Sequence, residues 1–315
     1  MLRIGILGTG FGLNHLKIYQ QSETGSVVQV FGRDAGKLAS IRTEYGVDVT
    51  TDPMDIIRND KIDIVDVCLP TAIHKEYIEH ALAHGKHVFC ETPVSHGVAE
   101  AESMRECARK HDRKLLVDLF MKYSQPHRAA LDLVRSGALG DVVMATAMQM
   151  SPPHWGHMSA ERLVSDFMIH NLDFLTELLG VPEKVCSRAT ERTSAFVTSH
   201  LAYGDRDATA QATFMLPKSH PFVLGFRLIC ENGTVLFEGR FGETTEQRFA
   251  VYRDEAVEEP GLEERDEYSE VIDRVLDCVA DGTAVPDLSI DAAIKSLRVV
   301  EATQESIRTG KAVVL

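Results

Sequence analysis

The chain opens on a strand-like run, Leu2-Arg3-Ile4-Gly5-Ile6-Leu7, that passes without a spacer into Gly8-Thr9-Gly10-Phe11-Gly12-Leu13 and then into a helical pattern. In a parallel α/β sheet the first glycine permits the tight turn from strand to helix and the second lets a ligand approach backbone. The helix N-terminus then offers oriented N–H donors to an anion. The third small residue of this pattern is expected at position 13, where Leu13 stands, and Gly12 comes one place early. Either Gly12 takes over the close packing of the helix or the helix enters differently. With strand, turn and helix in this order, Gly8, Thr9, Gly10, Phe11 and Gly12 are read as the cradle of a dinucleotide pyrophosphate.

The segments beyond this turn suit a doubly wound sheet. Short β-branched runs at residues 27–31, 63–69, 86–90 and 114–120 alternate with helical stretches at 74–84 and 98–111, the pattern of βαβ units. After Pro126 the character changes. A helix at 129–136 gives way to longer strands at 142–150, 208–216, 222–230 and 234–239, the last two flanking the hairpin signal Glu231-Asn232-Gly233. Two helices, at 268–280 and 291–308, close the chain. The expectation is an α/β Rossmann domain over residues 1–122, a doubly wound parallel sheet, and an α+β domain over 123–315 built on a large, mainly antiparallel open sheet. A length of 315 residues suits two cores better than one.

The second predicted strand ends Phe31-Gly32-Arg33-Asp34, where an acidic residue usually holds the ribose hydroxyls of NAD. A guanidinium at Arg33 can grip a 2′-phosphate, so NADP is favoured, with NAD kept open through Asp34. Thirty-three basic residues against forty-seven acidic ones leave a charge of −14, which disfavours nucleic acid and anionic membrane as partners. The six cysteines are scattered and form no C-x-x-C pair, so neither disulfides nor a cysteine zinc site is expected. No apolar run approaches the ~20 residues that span a bilayer, and a cytoplasmic protein is the simplest expectation.

Two further segments carry a resemblance to a known family. Asp66-Val67-Cys68-Leu69-Pro70-Thr71-Ala72-Ile73-His74 resembles the strand-to-helix turn that lies along the cofactor in the Gfo/Idh/MocA oxidoreductases. Gly85-Lys86-His87-Val88-Phe89-Cys90-Glu91-Thr92-Pro93 resembles that family's G-K-H-V-x-x-E-K-P signature at every fixed position except Thr92. The resemblance implies NAD(P) bound along Leu69, Pro70, His74, Glu91, Thr92 and Pro93, and oxidation or reduction of a carbon-bound hydroxyl on a sugar, inositol or related polyol. It also implies a homo-oligomer, dimer or tetramer, built through the open sheet of the second domain, a face that needs cover on physical grounds as well.

Asp166-Phe167-Met168-Ile169-His170-Asn171-Leu172-Asp173 reads as a helix opening behind Ser165, with Asp166 and His170 four apart on one face. It is similar to the D-x-x-x-H-x-x-D pattern of the family's substrate domain. Hydride transfer from a carbinol requires its hydroxyl proton to leave, and histidine suits that task near neutral pH. His170 is therefore expected as general acid/base, Asp166 as its partner and a substrate contact, and Asp173 as structural. The family lysine replaced by Thr92 contacts the reacting hydroxyl, and threonine supplies neither a charge nor a mobile proton. Lys122, at the end of the following strand, is the expected stand-in. Trp155, in Pro152-Pro153-His154-Trp155-Gly156-His157, is a candidate to stack on a sugar face, and His154 with His157 lacks the companions of a metal site. Two other readings stay open, a cofactor-assisted glycosidase and a non-catalytic dinucleotide sensor. Retention of Asp166 and His170 argues against the sensor.

Overall fold

A computed structural model of the chain describes residues 1–154, 156–192, 194–262 and 266–315. They divide into two compact units, residues 1–123 with 266–294, and residues 124–262 with 295–315.

Among the described residues the first unit is built on a six-stranded sheet: β1 (Leu2–Leu7), β2 (Gly25–Phe31), β3 (Asp48–Thr50), β4 (Ile64–Val67), β5 (His87–Cys90) and β6 (Leu115–Val117). All neighbours pair in parallel, in the order β3-β2-β1-β4-β5-β6. The order reverses between β1 and β4, where a crevice opens beyond the carboxyl ends of the strands. Ile4, Ile6, Leu7, Ile64, Val65 and Val67 are fully buried, as strands covered on both faces require. The strands stop short of the apolar runs expected at 63–69 and 114–120, because the ladder ends where the chain turns at Cys68 and Asp118 to carry polar groups.

The first unit also takes up the helix Glu267–Asp281, although the sequence suggested one contiguous boundary after residue 122. The fit is close: a Cβ on Gly25 would stand 2.9 Å from Leu276 Cδ1. The buried stripe Val271, Ile272, Val275, Leu276 and Cys278 has helical spacing but carries no mark of the sheet it covers.

Among the described residues the second unit holds a nine-stranded sheet. Its strands are β7 (Val142–Met150), β8 (Lys184–Glu191), β9 (Ala195–Tyr203), β10 (Arg206–Thr213), β11 (Phe222–Cys230), β12 (Gly233–Phe241), β13 (Thr245–Arg253), β14 (Ala256–Glu258) and β15 (Val313–Val314). The order is β14-β13-β12-β11-β7-β10-β9-β8-β15, antiparallel throughout except for β7 with β10. Cys230 pairs with Gly233, so Glu231 and Asn232 form the two-residue loop that the Asn-Gly signal predicts. One sheet face is covered by the helices Gln125–Arg135 and Ile169–Leu179, with Phe174, Phe226 and Phe237 packed around His127. On the other face Met144 and Ile229 lie opposite each other and are 37% and 40% exposed. No helix among the described residues is long and apolar enough to cross a membrane.

Candidate functional site

The turn after β1 has the geometry of an anion cradle. Gly8 takes φ +124°, a conformation that side chains rarely adopt, and a Cβ there would collide with the Cys68 carbonyl. A Cβ on Gly10 would meet nothing within 4 Å, so backbone is open to a ligand at that point. Gly12 resolves the alternative posed by Leu13, since a Cβ on it would stand 2.9 Å from Ile6 Cγ2 and 3.2 Å from Cys68 Cβ. It is the residue that lets the helix Gly12–Tyr19 lie close on β1. That helix starts behind Phe11 with no side-chain cap and no acidic residue in its first turn; the Leu13 and Asn14 amides turn back to the Gly10 and Phe11 carbonyls, and the N-terminal end of the helix dipole is left uncompensated for an anion. These residues fit a dinucleotide pyrophosphate.

At the end of β2, Arg33 is exposed, whereas the carboxylate of Asp34 is already engaged: Oδ1 accepts from the Lys37 amide at 2.9 Å and caps the helix Ala35–Tyr45. Lys37 itself, absent from the sequence-based candidates, reaches back with its ammonium to the Thr9 carbonyl. Its signal was present in the order Arg33-Asp34-x-x-Lys37, where a capped first helical turn brings the third residue after the cap back over the cradle.

The other two cofactor segments are braced together. His74 is buried, with Nε2 2.6 Å from the Leu69 carbonyl and Nδ1 3.3 Å from the Val94 carbonyl, so one ring ties the Leu69-Pro70 turn to the end of the Glu91-Thr92-Pro93 turn. Burial lowers its pKa. Thr92 is half-buried, and the Thr92–Pro93 bond is cis. Lys122 is 1% exposed, and its ammonium donates to the Asp287 carbonyl at 2.7 Å.

Beneath the cradle lies a cluster that sequence reasoning missed. His15, fully buried, sets Nδ1 2.9 Å from Asp66 Oδ2, and Nε2 3.2 Å from Glu91 Oε1 and 3.5 Å from Asp118 Oδ2. Cys68 Sγ is 3.5 Å from the same Nδ1. Phe89 stacks on the imidazole at 5.5 Å. Burial alone opposes charge on His15. Only together do the neighbours outweigh it, the Asp66 carboxylate first and then Cys68 and the hydrogen bonds to Asp118 and Asp66, and they hold the imidazole well above its usual range. Asp118 is pushed up to about 7 by burial and then by the Glu91 charge. The signals were Asp66 inside a fully buried strand and the spacing Gly12, His15, Leu16, Tyr19 on the buried helix face.

In the second unit the segment around Asp166 is helical from Ala160, but between Val164 and Met168 it widens into a π turn before the helix Ile169–Leu179 begins. The simple four-residue stacking expected for Asp166 and His170 is altered by that extra residue. Asp166 accepts from Arg162 at 3.0 and 3.1 Å and from Ser165 Oγ at 2.5 Å. Burial lowers the pKa of His170 to about 4, so it is a neutral base at physiological pH. His127, with Nδ1 2.6 Å from Ser124 Oγ, is lowered to about 3 by burial and then by His170. Asp173 is buried and accepts from Ser296 Oγ at 2.6 Å. Trp155 lies outside the described residues.

A doubly wound sheet with an uncapped helix behind a glycine turn defines a dinucleotide-binding Rossmann domain. The Gfo/Idh/MocA family, described as an oxidoreductase family with an NAD-binding Rossmann fold, matches residues 2–119. The chain is 30% identical over 184 residues to the inositol 2-dehydrogenase of Pseudomonas savastanoi pv. phaseolicola, covering 57% of this chain and 55% of that protein. It is 29% identical over 192 residues to the D-glucoside 3-dehydrogenase of Escherichia coli, covering 58% and 55%. Such matches span from 39% to 61% of the relatives' length. An oxidoreductase from Agrobacterium radiobacter, solved with NAD+, L-tartaric acid and magnesium, superposes with a TM-score of 0.88 over 99% of this chain and 98% of that one. At 18% identity that likeness shows the shared fold.

Proposed function

We propose that the protein is an NAD(P)-dependent oxidoreductase that transfers a hydride between the nicotinamide and a carbinol or carbonyl carbon of a sugar, inositol or related polyol. The observation that carries this reading is the open, uncapped cradle from Gly8 to Gly12 at the sheet's switch point. The dehydrogenases named above support the substrate class. A bound dinucleotide supplies the hydride acceptor or donor; Leu69, Pro70, Glu91, Thr92 and Pro93 line its course, held in place by His74. His170, kept neutral by burial, accepts the hydroxyl proton in the oxidative direction and returns it in the reductive one, and Asp166 orients a substrate hydroxyl.

NADP is the preferred form, because Arg33 is exposed at the end of its strand while the carboxylate of Asp34 beside it is committed to capping. Lys122 enters as the brace of the turn Pro286–Leu288 rather than as the stand-in for the lysine absent at Thr92. The exposed pair Met144 and Ile229 supports self-association through the nine-stranded sheet. Fluorescence titration with NADPH and NADH, followed by absorbance at the nicotinamide band with a panel of polyols and keto-sugars, tests the reading. Binding of NADPH at least ~10-fold tighter than NADH, with turnover of one panel member, is expected; dinucleotide binding without turnover of any member would reject the dehydrogenase assignment.

A further inference from the structure

Hydride transfer as proposed gives a task to Glu91 but none to His15, Asp66 and Asp118, the buried charged groups gathered around it in the first unit. The members of this cluster come from every element packed around one imidazole: Asp66 and Cys68 at the end of β4, Cys90 and Glu91 at the end of β5, Asp118 after β6, Tyr19 from the histidine's own helix and Tyr268 from the helix Glu267–Asp281. Phe11 and Phe89 close it with their rings. One Nε2–H cannot satisfy Glu91 Oε1 and two Asp118 oxygens at once, and none of these oxygens receives a hydrogen bond of good geometry. A buried carboxylate without donors is costly unless it takes a proton. The ring thus carries two protons and the acids have room for one more, shared at the Nε2 edge.

A metal ion fits less well. His15, Cys68 and Glu91 can each offer an atom within 4.8 Å of the others, but Cys68 and Asp66 address Nδ1 while Glu91 and Asp118 address Nε2, so the donors face opposite edges of the ring.

The cluster sits against the cradle. His15 is three residues beyond Gly12, and Cys68 touches both Gly8 and Gly12. Glu91 also belongs to the turn Glu91-Thr92-Pro93, read above as lining the dinucleotide beyond its pyrophosphate, so a charge carried there acts on buried groups that salt screens little. Oxidised and reduced dinucleotides carry the same phosphates and differ by the positive charge of the oxidised nicotinamide. We propose that His15, Glu91 and Asp118 hold a redox-linked proton, bound more firmly when the reduced dinucleotide occupies the glycine loop than when the oxidised one does. Glu91, whose side chain is 14% exposed against 0% for His15 and 1% for Asp118, is the proton's way in. In the oxidative direction the carbinol carbon gives up a hydride with both electrons and its hydroxyl gives a proton to His170; the cluster then takes one proton from water and compensates the positive charge lost from the crevice. No electron passes through the cluster. The inference rests on reading the glycine loop as a dinucleotide cradle.

Calorimetry of NADPH and NADP+ binding to the full chain, in buffers of different protonation enthalpy near pH 7, counts the protons exchanged. NADPH is expected to draw in ~0.5 proton more than NADP+ near the midpoint, and Asp118→Asn is expected to bind both with that difference gone. Infrared difference spectra of the wild-type protein in the two complexes supply a readout that needs no variant: a protonated-carboxyl band should be stronger in the NADPH complex. Equal proton counts, an unchanged carboxyl band, a difference surviving in Asp118→Asn, or stoichiometric zinc in the purified protein each overturn the proposal. Failure of both dinucleotides to bind would overturn the cradle reading itself, and the inference with it.

Discussion

Each unit buries histidine, and the two outcomes are opposite. His15 is enclosed by carboxylates and stays charged, whereas His127 and His170, set among the rings of Phe174, Phe226 and Phe237 and in the helix behind the π turn, are driven to neutrality. Desolvation pushes all three imidazoles the same way, so the difference is made by neighbours. At His15 the neighbours, Asp66 at 2.9 Å foremost, together overcome burial; at His127 a second histidine, His170, adds to the loss. A charged histidine suits a site that responds to the charge of a ligand, and a neutral one suits a base that must accept a proton from substrate.

The strongest test of the comparison removes the charged ring. His15→Gln leaves Asp66, Glu91 and Asp118 buried without their cation and should destabilise the protein by about 3–5 kcal/mol in denaturant titrations, the usual cost of breaking a buried pair from one side. A loss below ~1 kcal/mol would mean the cluster carries little charge. On the neutral side, His170→Asn should leave NADPH affinity within a factor of two or so and lower kcat by ~10²-fold or more. An unchanged kcat would remove the proton acceptor from the second unit and turn attention to the first.

The same contrast sets how stability responds to acid. His127, lowered to about 3 from an unfolded value near 6.5, contributes stability that is present above 6.5 and lost as pH falls toward 3. Asp118, raised to about 7 from an unfolded value near 3.8, works in the other sense: its contribution is complete below 3.8 and lost as pH rises toward 7. Between about pH 4 and 6.5 the two oppose each other, each with a limiting slope of about 1.4 kcal/mol per pH unit. Unfolding free energies measured across this window should fall more steeply on acidification in Asp118→Asn than in the wild-type protein, and less steeply in His127→Phe. Parallel profiles for all three would show that neither group is held away from its ordinary value.

Much of this architecture was legible because it rests on local pattern. The glycine turn, the alternation of β-branched runs with helices and the Asn-Gly hairpin each follow from short-range backbone chemistry, and each lies where the pattern put it. What escaped depends on encounters distant in sequence. Asp66, Glu91 and Asp118 end three different strands, and only the sheet order β4-β5-β6 brings them to one imidazole. The helix Glu267–Asp281 returns to the first unit because Leu276 meets Gly25, a contact between opposite ends of the chain that neither segment announces. The π turn between Val164 and Met168 adds a residue to a helical turn without a compositional sign.

Lys122 sharpens the comparison with a third solution to buried charge, because its ammonium is met at 2.7 Å by a backbone carbonyl, that of Asp287. The neighbouring Tyr123 donates to the Asp287 carboxylate at 2.8 Å, so two consecutive residues fasten the turn Pro286–Leu288 to the end of the sheet. Lys122→Met keeps the stem and removes the charge, and should lower stability by about 1–3 kcal/mol, the loss of a hydrogen bond from a charged donor. That is the smallest of the expected changes. Stability and kcat/KM measured together decide the residue's role: lower stability with kcat/KM held within a few-fold makes Lys122 a brace, and a ~10²-fold fall in kcat/KM at unchanged stability would make it the substitute for the lysine absent at Thr92.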